Sequence, residues 1–302
     1  MEVQFKPPDG CSSKREPQVP IMFKDFEIGR LIGKGADGYV YKVKYNDKTY
    51  AMKITKNLVM HEINILLNIN HVYICKLYYH FKCENRLYCI LEYYQCDFFT
   101  FLEEQPSGCF TEDHTIYYSS CLLLALEYLH TNGIVHRDIK FENILVSKTG
   151  QIALADFDRS IYNKQAVCCI LYRGNSLFVP DFKMTGKFGT PEYMAPEMVC
   201  SKTYTYMVDW WSYSIVTYEM LFGDTPFRQK TTEEIYKSIL KYNLIIPDLT
   251  PRDIAISKNM KKFLKNMLKY NVVDRLGYKG GSLEIRDHSV FDNIDFELLM
   301  EK

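Results

Sequence analysis

The sequence predicts an α+β fold in two lobes: a small antiparallel β-sheet with one helix, then a larger, mainly helical lobe. Three observations carry this expectation. From position 26 to 50, FEIGRLIGKGADGYVYKVKYNDKTY alternates apolar and polar residues and is punctuated by Gly and an Asn-Asp turn, the pattern of antiparallel strands. Further on, IYYSSCLLLALEYLH and YMVDWWSYSIVTYEMLF are too apolar around their whole circumference to be anything but buried helices. The chain has 302 residues, 47% apolar and 25% charged, which suits one two-lobed unit with a large core and leaves no room for a second independent enzyme.

Taken in order, residues 1–22 are rich in Pro, Ser and charge and are expected to form a flexible tail, with structure beginning near Phe23. The strands follow, and near Asn57 the pattern changes to a helix, LVMHEINILLNI, with Leu58, His61, Ile65 and Leu66 at three- and four-residue spacings. That helix can carry one inward carboxylate. LYCILEYY, positions 87–94, returns to strand composition and is broken by 95–97. The expected lobes are therefore 23–94 and 95–302. No repeat or heptad run is present.

Composition excludes several function classes. Lys plus Arg and Asp plus Glu are equal at 37 each, so no global field recruits nucleic acid or an acidic membrane. No segment approaches about 20 uninterrupted apolar residues, which excludes a membrane-spanning helix, and the N-terminus has no apolar run of signal-peptide type. The 10 cysteines include no CxxC pair, and the adjacent Cys168 and Cys169 lack the spaced partners a zinc site wants. Reduced thiols are expected, and with them a cytoplasmic or nuclear location.

The chemistry lies in HRDIKFEN, positions 136–143. An Asp and an Asn five positions apart with a Lys between can serve one phosphoryl transfer: Asp138 accepts the substrate hydroxyl proton, Lys140 steadies the transferred group and Asn143 ligates a metal ion. Upstream, Gly33, Gly35, Gly38 and Val40 spell GxGxxGxV, where missing side chains let backbone amides approach phosphate oxygens. A dinucleotide fold would need a helix after the last Gly, whereas Tyr39, Val40 and Tyr41 read as strand, so a clamp over ATP fits better. YAMK then places Lys53 on the next strand to pair the α- and β-phosphates, with Glu62 holding its ammonium. LADFD supplies Asp156 for the Mg2+ that bridges the phosphates. GTPEYMAPE, positions 189–197, closes the series.

In this order the motifs resemble the eukaryotic protein kinase domain over residues 26–299. GTPEYMAPE, VDWWSYSIVTYEMLFGDTPF and RLGYKGGSLEIRDHSVFDNIDFELL are similar to the AGC group of serine/threonine kinases, the relatives of the cyclic-AMP-dependent enzyme. The resemblance implies ATP and Mg2+ as cofactors. It implies that Thr190 bonds Asp138 and Lys140, that Glu197 pairs with Arg275 and that Asp209 anchors the catalytic loop. Ile32, Val40, Ala51, Leu91 and Leu145 would enclose the adenine, with the backbone of Glu92 and Tyr94 bonding its edge. Leu66, Leu77, His136 and Phe157 would stack between the lobes. Asp97, Glu142 and Glu219 match acids that bind arginines upstream of the phosphorylated residue, so the implied partners are protein substrates with Ser or Thr near Arg or Lys. The match of Asp97 requires a one-residue gap.

Departures from the group pattern are specific. DFG appears as DFD, with Asp158 at the Gly position. The activation segment, 156–197, contains an extra stretch, YNKQAVCCILYRGNSLFVPDFK, whose apolar centre is expected to pack on the lobes or meet a partner. The position of the group's activating phosphothreonine is Gly186. Thr185 is adjacent and could take its place with Arg137 as phosphate partner, although Leu58 and Ile161 stand where further basic residues would be. The group's C-terminal tail is missing after position 302, so the expectation includes an activating or tail-supplying protein partner. These departures keep open an alternative, a nucleotide-binding scaffold that acts by docking.

Overall fold

The computed structural model describes residues 21–35, 38–56, 60–105, 108–163 and 182–301. The proposed tail over 1–20, Leu58 and the apolar centre of the extra stretch lie outside the described residues.

The first lobe is a five-stranded antiparallel sheet built from β1 (Glu27–Lys34), β2 (Gly38–Tyr45), β3 (Lys48–Thr55), β4 (Leu77–Cys83) and β5 (Arg86–Glu92), in the order β1-β2-β3-β5-β4. Asn46 and Asp47 both take positive φ, 46° and 58°, which makes the tight turn between β2 and β3 that this dipeptide favours. Glu84 and Asn85 do the same between β4 and β5. Phe26, Val43, Tyr50, Met52, Tyr88 and Ile90 form the core on one side of the sheet.

Against the sheet lies α1 (His61–Leu66), whose buried residues are Glu62, Ile63, Ile65 and Leu66. Within the described residues this helix is shorter than the pattern from Asn57 predicts. Its N-terminal Met60 supplies no side-chain cap, so nothing local extends it. The end of the last sheet strand also differs. β5 stops at Glu92, and Cys96 and Asp97, expected to break structure, form a short strand, β6 (Cys96–Asp97), against β8 (Ile144–Val146). That pairing is made to residues some fifty positions away, so local composition could not announce it.

The second lobe packs α3 (Glu112–Thr131) against α5 (Met207–Phe222), with α2 (Phe98–Glu103), α4 (Pro196–Val199), α6 (Thr232–Leu240), α7 (Lys258–Met267), α8 (Gly281–Arg286) and α9 (Phe296–Met300) around them. Thr111 caps α3 by accepting the His114 amide at 3.2 Å, and Glu112 and Asp113 in its first turn complement the helix dipole. Of α5, all but Phe222 is buried, including Trp210 and Trp211. Between the lobes run β7 (Ile134–Val135), β8, β9 (Ile152–Leu154) and β10 (Ile161–Tyr162), short strands whose connections carry Asp138, Asp156 and Asp158. The seven described cysteines are free thiols, and no described helix is long and apolar enough to cross a membrane.

Candidate active site

Lys53 is the centre of one half of the site. Its Nζ lies 2.8 and 3.0 Å from the two Glu62 oxygens, 3.0 Å from Asp156 Oδ1 and 3.1 Å from Asp158 Oδ2. The sheet aims it there: Val40 on β2 and Cys89 on β5 stand directly opposite Lys53 on β3, so all three share one face. Burial alone would favour a neutral amine, but the charges of Glu62, Asp156 and Asp158 reverse this and hold the ammonium charged. Burial pushes the Glu62 carboxyl up, and the neighbouring acids oppose part of the relief that Lys53 provides. Glu62 also accepts the Phe157 amide at 3.4 Å, and His61 Nε2 lies 2.6 Å from the Ser160 carbonyl, so α1 is tied to the start of the activation segment by two residues.

Phe157 is buried against His136, ring centroids 5.0 Å apart, and Leu66 and Leu77 belong to the same packed core. Of the expected stack, the His136–Phe157 contact is formed. Asp156 takes φ +63°, a costly conformation for a residue with a side chain, whereas Asp158 does not have positive φ. The Asp at this Gly position thus needs no left-handed backbone in the conformation seen. Glu62, Asp156 and Asp158 bring carboxylate oxygens within 4.8 Å of one another, and the cation they surround is the Lys53 ammonium.

The other half of the site is the catalytic loop. Thr190 Oγ1 donates to Asp138 Oδ1 at 3.0 Å, while Lys140 Nζ and Arg159 Nε lie 3.8 and 3.5 Å from Asp138 Oδ2. Asn143 donates through Nδ2 to the Asp138 carbonyl at 2.8 Å, which leaves its own amide oxygen available to a cation. The Ala155 amide donates to the Asn143 carbonyl at 2.8 Å, joining this loop to the Asp156 segment. Beneath them Asp209, fully buried on α5, accepts from the amides of His136 and Arg137 and from His130 Nε2, each at 2.8 Å. Glu197 and Arg275 form a two-bonded pair at 2.9 and 3.1 Å, with Arg275 buried over Trp211.

The nucleotide-facing residues of the sequence reading fall on the sheet and on β8. Ala51 pairs with Leu91 across β3 and β5, and Leu145 pairs with Asp97 and Ala153. Gly33 stands opposite Val40, next to the irregular register that contains Ile32. Tyr94 donates its hydroxyl to Glu92 Oε2 at 3.1 Å, bracing the segment that links the lobes. A Cβ at Gly35 would meet nothing within 4 Å, whereas one at Gly38 would lie 2.0 Å from the Ile54 carbonyl oxygen. Gly38→Ala must therefore push β2 off β3 directly beside Lys53. The expected outcome is a loss of about 1–3 kcal/mol of stability in urea unfolding and a raised KM for ATP; unchanged values for both would show that the strand pair yields freely.

The three acids assigned to substrate arginines part company. Glu142 is exposed on the catalytic loop. Glu219 is buried on α5 and accepts the Tyr193 hydroxyl at 2.6 Å. Asp97 caps α2, accepting the Thr100 amide at 2.8 Å, so one of its oxygens has a structural task. Sequence reasoning missed Arg159, His130, Tyr193 and Glu192, the last bonded by Thr225 Oγ1 at 2.6 Å. Arg159 had a local signal in its place directly after DFD, and Glu192 and Tyr193 in lying within GTPEYMAPE, whereas His130 had none. In the unmodified segment the Arg137 guanidinium stacks on Phe188 and is linked to the Thr185 carbonyl through the Tyr204 hydroxyl.

Comparison with known proteins agrees with this arrangement. The protein kinase domain family matches residues 26–291. Flippase kinase 1 of Saccharomyces cerevisiae is 36% identical over 307 residues, which cover 95% of this chain and 34% of that protein. The RAC family serine/threonine-protein kinase homolog of Dictyostelium discoideum is 36% identical over 307 residues, 97% of this chain and 63% of that protein. Human ribosomal protein S6 kinase alpha-6 is 35% identical over 292 residues, 92% of this chain and 36% of that protein. The chain thus spans from about a third to under two thirds of the length of these relatives. Motif order, site geometry and relatives converge, and the chain belongs to the protein kinase domain family.

Proposed function

We propose that this chain transfers the γ-phosphoryl group of ATP to Ser or Thr hydroxyls of protein substrates that carry arginine near the acceptor. The observation that carries the reading is the pairing of Lys53 with Glu62 and Asp156 on one side and of Asp138 with Thr190 and Lys140 on the other. Asp138 orients the acceptor hydroxyl and takes its proton as the oxygen attacks. Lys140 and Arg159, both beside Asp138, are positioned to meet the charge on the transferred group. Lys53 orients the α- and β-phosphates. Ile32, Val40, Ala51, Leu91 and Leu145 give the adenine apolar walls, and Gly33, Gly35 and Gly38 bring backbone amides over the phosphates. Asp156 and the Asn143 side-chain oxygen are the residues that would hold Mg2+, which when bound neutralises phosphate charge.

Arginine recognition rests on Glu142 and Glu219, with Asp97 the lesser contributor because it caps a helix. Burial, reinforced by the charges of Glu142, Glu192 and Asp224 and opposed by the Tyr193 hydrogen bond, pushes the Glu219 carboxyl up to about 8. In the free enzyme at neutral pH it is largely protonated; a docking guanidinium favours the anion, so binding releases a proton and tightens as pH rises. The KM for an arginine peptide should therefore fall between pH 6 and 8.5. Glu219→Gln should raise that KM roughly ten- to hundredfold and remove the slope. A slope that survives in the variant would place the titrating group elsewhere.

Protein partners beyond substrates, including one that activates the enzyme or supplies a tail, and a cytoplasmic or nuclear location are part of the same reading. The test is transfer of labelled phosphate from Mg-ATP to an arrayed Ser/Thr peptide library. Signal on arginine-containing peptides supports the proposal. Bound ATP with no transfer to any peptide favours the docking scaffold that Asp158 and the extra stretch motivate.

A further inference from the structure

Arg137 is only 8% exposed, and a buried cation requires a compensating partner. Among the described residues no carboxylate lies within ion-pair distance of it. Its guanidinium carbon instead sits 4.1 Å from the centroid of the Phe188 ring, Nε donates to the Arg159 carbonyl at 2.7 Å, and Nη1 donates to the Tyr204 hydroxyl at 3.4 Å. Tyr204 passes its hydroxyl on to the Thr185 carbonyl at 3.3 Å, and Met184 and Tyr204 exchange backbone bonds at 2.8 and 2.9 Å. The residue between, Gly186, has φ +99°, and a Cβ there would lie 2.6 Å from the Phe188 ring. The aromatic ring thus occupies the space beside Arg137 that a modified side chain at 186 would enter, and position 186 has no hydroxyl to modify.

We propose that Phe188 is a positioning residue that locks the end of the activation segment to the catalytic loop through Arg137, so that the loop is in place without a phosphate on the segment. The physical chain is short. Asp209 holds the Arg137 amide, Arg137 holds the Phe188 ring by cation–π attraction, and two residues later Thr190 donates to Asp138. Fixing residue 188 fixes residue 190, and so the hydroxyl that orients the base. Tyr204 and the Met184 bridge hold the segment from its other side. The inference rests on the kinase reading above and adds to it how the site is kept ready.

The test compares Phe188→Leu, which keeps apolar volume but removes the ring, with Phe188→Trp, which restores a ring face. In the phosphatase-treated full chain, Phe188→Leu should lower kcat about five- to tenfold with the KM for ATP within twofold, and Phe188→Trp should keep at least half of wild-type kcat. Thr185→Ala and phosphatase treatment should each leave wild-type kcat unchanged. Loss of activity on either of those two changes, or equal kcat in wild type and Phe188→Leu, overturns the proposal. Hydrogen exchange across 182–190 decides the same point without any turnover. Faster exchange in Phe188→Leu than in Phe188→Trp supports the lock, and equal exchange overturns it. A wild-type chain that phosphorylates no peptide would count against the kinase reading, while the exchange result would still decide the lock.

Discussion

Asp138→Asn is expected to lower kcat by about a thousandfold, within the range that a positioned general base contributes, while the KM for Mg-ATP stays within about twofold. The substitution conserves shape, and the amide oxygen can still accept from Thr190 Oγ1, 3.0 Å from the present carboxylate. It cannot take a proton. It also places an NH2 group where Lys140 and Arg159 now face a carboxylate oxygen at 3.8 and 3.5 Å, so both cations lose their partner. Lys53, Glu62 and Asp156 lie on the other half of the site and are untouched, which is why nucleotide affinity should hold. Steady-state kinetics on one arginine peptide separates the two parameters. A variant retaining more than a tenth of wild-type kcat would mean that Asp138 orients without accepting the proton.

Asp209→Ala is expected to cost about 3–5 kcal/mol of stability, because it strands two buried backbone amides and the His130 ring nitrogen that now donate to one carboxylate. In a thermal scan this corresponds to a fall on the order of 5–10 °C in Tm. The same carboxylate predicts an acid limit. Burial works against its charge, yet the hydrogen bond and field of His130, the nearby His136 and the Arg137 amide together hold its pKa below the ordinary carboxylate value. A depressed folded-state pKa contributes stability that is fully present above the unfolded value and is lost as pH falls through the folded one. Wild type should therefore lose stability below about pH 4 more steeply than Asp209→Ala. Parallel acid unfolding curves for the two proteins would assign the acid limit to other groups.

Much of this site was legible because phosphoryl transfer demands particular residue types at particular places along the chain. Lys53, Asp138, Asn143, Asp156 and Thr190 were each found from their neighbours in sequence, and the structure brings them into two adjoining clusters. Asp97 shows the opposite case: its one-residue gap was a local irregularity, and the structure gives one of its oxygens to the Thr100 amide. Glu219 was placed correctly on a buried helix, but its hydrogen bond from Tyr193 and the acids around it come from three separate segments. Arg137 is the expected partner of a phosphate near Thr185, and in the unmodified chain it lies over Phe188, a contact that no spacing rule contains.

The sequence by itself determined the two-lobed α+β architecture, the order of the strands and helices along the chain, and the identity of the groups that can move a phosphoryl group, since periodicity and motif spacing are properties of short stretches. Only the tertiary structure decided that Asp158 joins Glu62 and Asp156 around Lys53, that β6 pairs with β8, and that an aromatic ring compensates Arg137. Those outcomes depend on charges and surfaces brought together from distant parts of the chain, where burial makes each unpaired polar group costly and so selects one arrangement among many that the local pattern allows.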